Sequence, residues 1–114
     1  MYRMDLHPST GGDNYLDVPS VPYEIPLGAI VPVRMSNLLP SGKNIGTTHI
    51  ANGAFRVHPV EWNIGEAVGT LASFCLDHHT IPQEVRDAAH SVEQLQEQLS
   101  RNGIELHWPD VTGY

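Results

Sequence analysis

Proline placement constrains this chain more than any other feature. Pro8, Pro19, Pro22, Pro26, Pro32 and Pro40 fall in its first half, leaving three for the remainder of its 114 residues. Each proline removes a backbone donor and clashes with a continuing helix. Regular helix is therefore expected mainly from Pro59 onward, where proline sits at a helix start and its missing N–H costs nothing.

The second half meets that expectation in its spacing. Ile64, Ala67, Val68, Leu71, Ala72 and Cys75 follow helical periodicity, which predicts a helix over 59–77. Glu61 falls in its first turn, where a carboxylate meets the positive end of the helix dipole. Gly65, Gly69 and Ser73 form a small-residue stripe, the pattern left by a close neighbour. Val92, Leu95 and Leu99 mark a second helical segment over 83–101, stopped by Asn102-Gly103. Ile104–Trp108 is expected to add a short strand.

Upstream, residues 1–21 read as irregular, because Pro8-Ser9-Thr10-Gly11-Gly12-Asp13-Asn14 is dense in turn formers. Arg3, Asp5 and His7 alternate and would share one face of a strand there, making Asp5 and His7 a candidate acid–base pair. Residues 22–35 read as an edge strand or extended crossing broken by Pro22, Pro26 and Pro32. Residues 37–45 read as a short strand running into a Gly turn, followed by a polar loop containing His49, Asn52 and Gly53.

Charge and cysteine content narrow the function classes. Thirteen acidic against six basic residues give a formal net charge of −7. That balance argues against nucleic acid and anionic membrane as partners. The single cysteine, Cys75, excludes an internal disulfide and a multi-cysteine zinc site, and reads as a small buried hydrophobe. Seven histidines are scattered without a metal-ligand spacing, so no metal is assigned. No apolar leader opens the chain, and the run from Ala67 to Leu76 is far short of the ~20 residues a membrane helix needs. A soluble chain is expected, with the cytoplasm the favoured location.

The run NLLPSGKNIGTTHIANGAFRVHPVEWNIGEAVGTLASFCL, together with MDLHPSTGGDNY and PYEIPLGAIVP, resembles the C-terminal flavin-binding segment of FAD-dependent oxidoreductases. The branch it is most similar to has a glutathione-reductase-like fold and xanthan-lyase-like relatives. The resemblance spans residues 2–80. It implies an α/β fold: the C-terminal part of a Rossmann-like FAD-binding domain, with an extended first half and two helices in the second. Residues 1–36 would return from a substrate domain, 37–80 would contact the flavin, and 81–114 would form a helical tail.

The resemblance also implies roles. Gly42 and Lys43 match the end of a strand that approaches the ribityl chain. Many relatives carry an acidic residue where Lys43 stands; lysine accepts no hydroxyl proton, which leaves the Gly42 backbone as the contact. Asn52, Gly53 and Arg56 match the loop passing the isoalloxazine. Val57, His58 and Val60 match the helix start, where the N–H groups of His58 and Val60 would face the flavin O2. His58 joins Asp5 and His7 as a catalytic candidate. Gly65 and Gly69 match a face packed on the dinucleotide-binding core. No G-x-G-x-x-G occurs in the 114 residues, so the ADP half of FAD would be gripped by a missing N-terminal portion or parent chain. The chain alone is then expected to be inactive. A competing expectation is a small acidic interaction protein, derived from such a domain and without catalysis.

Overall fold

The computed structural model describes residues 3–12 and 15–109. Its described elements are mixed α/β: one two-stranded antiparallel sheet and four α-helices.

The sheet is the first departure from expectation. The opening residues are not wholly irregular: β1 (Arg3–Leu6) pairs with β2 (Leu16–Pro19). Of the expected turn run, Asp13 and Asn14 lie outside the described residues; Gly12, at φ 88, turns the chain where only glycine is unstrained. Register sets Asp5 opposite Asp17, a repulsive pairing. Arg3 offsets it, its Nε donating to Asp17 Oδ1 at 2.7 Å. His7 falls one residue beyond β1, so the predicted three-residue face holds only for Arg3 and Asp5.

Residues 22–35 form no strand; they run irregularly, with a 3-10 turn at Leu27–Ile30 and bends at residues 31, 33 and 34. Residues 37–45 form bends and turns, not the expected strand. Pro40 and Gly42 weaken strand there, and neither described strand pairs with it. The expected polar loop is instead helical: α1 (His49–Phe55) starts at Thr48, whose hydroxyl accepts from the Ala51 N–H at 3.2 Å. Gly53 lets α1 close on β1, since a Cβ there would lie 3.0 Å from Leu6 Cδ2.

The predicted long helix is present as α2 (His58–Asp77), with Pro59 in its first turn. Leu71 is fully buried at the centre of a core shared by Ile64, Val68, Phe74 and Cys75 with Val85, Leu95 and Leu99. The small-residue stripe divides: a Cβ on Gly65 would come 3.7 Å from the Ser41 carbonyl, whereas one on Gly69 would meet open space.

α2 stops in a Schellman motif. Thr80 N–H bonds to the Cys75 carbonyl, His79 N–H bonds to the Leu76 carbonyl, and His79 takes the left-handed conformation at φ 52. The expected 83–101 helix is two helices, α3 (Pro82–Asp87) and α4 (Ala89–Arg101), because Ala88 is extended at φ −111, ψ 109. α4 ends in the same motif with Gly103 at φ 79, and Ile104 N–H bonds to the Leu99 carbonyl. That stop sends residues 104–109 back across the core as an irregular strap; the expected strand does not form. No helix among the described residues is long and apolar enough to cross a membrane.

Candidate functional site

α1 and the 41–46 loop meet the amino end of α2, and β1 is tied to the α1–α2 junction through Arg56. Arg56 caps α1 and Val57 immediately begins the next helix, so α1 delivers the chain directly into α2. Val57 has extended backbone and no side-chain cap. The first bond of the ladder runs from Glu61 N–H to the Val57 carbonyl at 3.0 Å. The N–H groups of His58 and Val60 precede that ladder, and Pro59 has none. His58 and Pro59 are exposed, while Val57 and Val60 are half-buried.

The 41–46 loop approaches from one side. Its Ser41 carbonyl lies along the Gly65 face, and the Lys43 ammonium stands 3.4 Å from Glu61 Oε1. Gly42 is half-buried, with open space where a side chain would project. β1 packs against α1. The Arg56 guanidinium donates to the Asp5 carbonyl at 2.5 Å, and His7 Nε2 lies 3.5 Å from Asp5 Oδ2.

The sequence-predicted residues are thus sorted by the fold. Asp5, His7 and Arg56 come together as one group. Lys43 joins the first turn of α2. Val57, His58 and Val60 form the helix mouth. Asn52 and Gly53 behave differently. The Asn52 N–H and carbonyl are both engaged in α1, and Gly53 is buried against Leu6. Their placement is that of helix and packing residues, not of a loop.

Two features escaped the sequence reading. Glu61 was legible only as a partner of the helix dipole. Its side chain is 18% exposed, and its Oε1 is buried without a hydrogen bond despite the nearby ammonium. The second feature is an apolar cleft of about 370 Å³ along α2 that includes Pro59 and Val60 of its first turn. Val60, Ile64 and Ala67 floor it, Tyr23 walls it, and Ile104, Leu106 and Trp108 of the strap close it. Trp108 Nε1 donates to the Tyr23 carbonyl, and His107 Nδ1 meets Glu24 Oε1 at 2.7 Å. Tyr23 in turn donates its hydroxyl to the Ala54 carbonyl at 2.8 Å. Burial pushes the Tyr23 phenol above its ordinary value. No spacing rule links Tyr23 to Trp108, so this wall had no sequence signal.

Cys75 is buried, and burial, reinforced by Glu84, pushes its thiol up, which removes it as a nucleophile. Among the described residues no three His, Cys, Asp or Glu side chains gather as metal ligands.

Comparison with known proteins adds one match. The family model described as FAD dependent oxidoreductase matches residues 1–99. No curated protein and no solved structure matches significantly.

Proposed function

The chain belongs to the FAD-dependent oxidoreductase family, and from that premise we propose that it supplies the flavin end of the cofactor site, with α2 directed at the isoalloxazine. The observation that carries this reading is the uncapped start of a 20-residue helix. Such an end concentrates unpaired donors and about half a positive charge. A bound FAD would supply the electron-transfer chemistry, and the N–H groups of His58 and Val60 would be placed to meet negative charge on its ring.

The residues present fit that group. The N–H groups of His58 and Val60 are donors outside the helical ladder, and the exposed His58–Pro59 start leaves them accessible. Donors held in place before charge develops stabilise it without reorganisation. The Gly42 backbone, with nothing over it, lies in the loop assigned to the ribityl side. Arg56 fixes the Asp5 backbone and so positions the Asp5–His7 pair, to which we assign proton handling on the substrate side. Gly53 contributes by allowing α1 to pack, rather than by touching the ring.

The finer reading is a glutathione-reductase-like arrangement, in which residues outside these 114 grip the ADP half. The lack of a G-x-G-x-x-G within the chain supports that division.

The test is a titration of the isotope-labelled chain with lumiflavin, the ring without its side chain, followed by amide resonances. The His58 and Val60 amides are expected to shift. His58→Asp should weaken the effect several-fold by placing a competing anion at the mouth, while raising the thermal midpoint through the helix dipole. Shifts confined to other residues, or binding indifferent to His58→Asp, would overturn the proposal.

A further inference from the structure

The flavin reading makes no use of the apolar cleft along α2. We infer that this cleft binds a small arylalkylammonium ion, its aromatic ring inside and its positive charge at the rim. The inference is independent of where a flavin sits. The strap that closes the cleft, residues 104–109, also lies beyond the residues 1–99 matched by the family model.

Room is the first requirement. The cleft holds about 370 Å³, within the roughly 300–1,000 Å³ usual for small-molecule sites. Val60, Ile64 and Ala67 present one apolar face of α2 as its floor, and the strap brings Leu106 and Trp108 to it. The wall is in place before any ligand arrives. Tyr23 donates its hydroxyl to the Ala54 carbonyl at 2.8 Å, packs its ring on Phe55 with centroids 4.9 Å apart, and receives the Trp108 Nε1–H on its carbonyl. Trp108 meets Tyr23 with centroids 6.1 Å apart and ring planes at 66°. Two rings set at an angle form a corner, which suits a flat aromatic group and attracts a cation to an open ring face. A wall already fixed loses little entropy on binding.

Charge selects which aromatic molecule. No Lys or Arg lines the cleft, and its two carboxylate residues, Glu24 and Glu105, are both exposed and so belong to the rim. Glu24 spends Oε1 on His107, at 2.7 Å. Glu105 has no ion pair or hydrogen bond among the described residues. Behind the strap, Glu93 and Glu97 flank Leu106 and His107, and Arg101 there is already paired with Glu97 at 2.8 Å. The rim is therefore negative in a chain of formal net charge −7. Such a field draws a cation to the opening and repels a carboxylate or phosphate. An ammonium at the rim keeps its water while its ring is buried, which avoids the cost of desolvating a charge.

Three indoles test this with one ring and three charges: tryptamine as cation, 3-ethylindole as neutral molecule and indole-3-propionate as anion. Each is titrated into the full isotope-labelled chain and followed by amide shifts and the Trp108 Nε1–H resonance. Shifts are expected at Ile64, Ala67, Ile104 and Leu106, with tryptamine binding tightest and indole-3-propionate weakest. Glu105→Gln should weaken tryptamine by about two- to fivefold, the scale of an ion pair open to solvent, and leave 3-ethylindole unchanged. Added salt should narrow the gap between those two ligands. Ala67→Leu fills the floor with a good helix former and should abolish binding of all three. No shifts in the cleft with any indole, or binding indifferent to Ala67→Leu, would overturn the site. An anion bound as tightly as the cation, or tryptamine indifferent to Glu105→Gln, would overturn the ligand class. Thermal midpoints show whether Ala67→Leu folds; Glu105 is exposed and unpaired, so its variant keeps the test decisive if Ala67→Leu does not. Lumiflavin reports on the helix mouth separately, so either assignment can fail alone.

Discussion

Gly53 presents bare backbone to Leu6, and a Cβ at that position would stand 3.0 Å from Leu6 Cδ2. This contact joins α1 to β1. It also sets where Arg56, three residues on, reaches the Asp5 carbonyl. Gly53→Ala is expected to destabilise the chain by about 1–3 kcal/mol through overpacking. Leu6→Val in the same chain should return part of that loss. Denaturant unfolding of the two single variants and the double variant measures the coupling; strictly additive losses would place the strain elsewhere.

His79 occupies the left-handed position that ends α2, at φ 52. Glycine adopts that conformation without a Cβ penalty, and the motif's two backbone bonds do not involve the side chain. His79→Gly is therefore expected to stabilise by about 1 kcal/mol, the cost of a left-handed residue bearing a side chain. A thermal melt should show a raised midpoint.

Leu71 is fully buried where α2 meets the rest of the core. Leu71→Ala should cost about 2–5 kcal/mol, the usual penalty for a cavity at such a site. Leu76→Ala, one helical turn and a residue later on the same helix, should cost little, because Leu76 is 76% exposed. Chemical denaturation of the two variants gives the contrast.

The Tyr23 phenol is held above its ordinary value of 10.0 by burial, while its hydroxyl donates to the Ala54 carbonyl. A raised value in the folded state means that the unfolded chain loses this proton first. The contribution is fully present below about pH 10 and is lost as pH rises through the folded value. Stability should fall in that alkaline range, and Tyr23→Phe should flatten the fall. Thermal midpoints across an alkaline pH series measure both.

How much of this was legible in the sequence depends on how local each signal is. The α2 helix was readable because Pro59, Glu61 and the Ile64–Cys75 spacing all act within one segment. The stop at Asn102-Gly103 was readable for the same reason. The α1 helix was not, because Asn52 and Gly53 are poor helix formers, and the helix is favoured by packing Gly53 on Leu6, a residue far away in the chain. Residues 37–45 misled in the opposite sense: an apolar run suggested a strand, but a strand needs a partner, and none of the described strands pairs there. The break at Ala88 had no proline or glycine to announce it. At the candidate site, the helix start that carries the His58 and Val60 N–H groups was legible from Pro59, whereas their assignment to a flavin came from the resemblance alone. Asp5 and Arg56 were named singly, whereas their hydrogen bond spans 51 positions. The unsatisfied oxygen of Glu61 depends on the 41–43 loop folding over α2, which no pattern in the sequence records.

The central claim is that a flavin ring meets the start of α2 rather than the apolar cleft on its flank. Intermolecular nuclear Overhauser effects between lumiflavin and the isotope-labelled chain test it most directly. The account predicts contacts from the ring to Val57 and His58, with none to Ile104 or Trp108. Contacts to Ile104 and Trp108 without any to Val57 or His58 would contradict it.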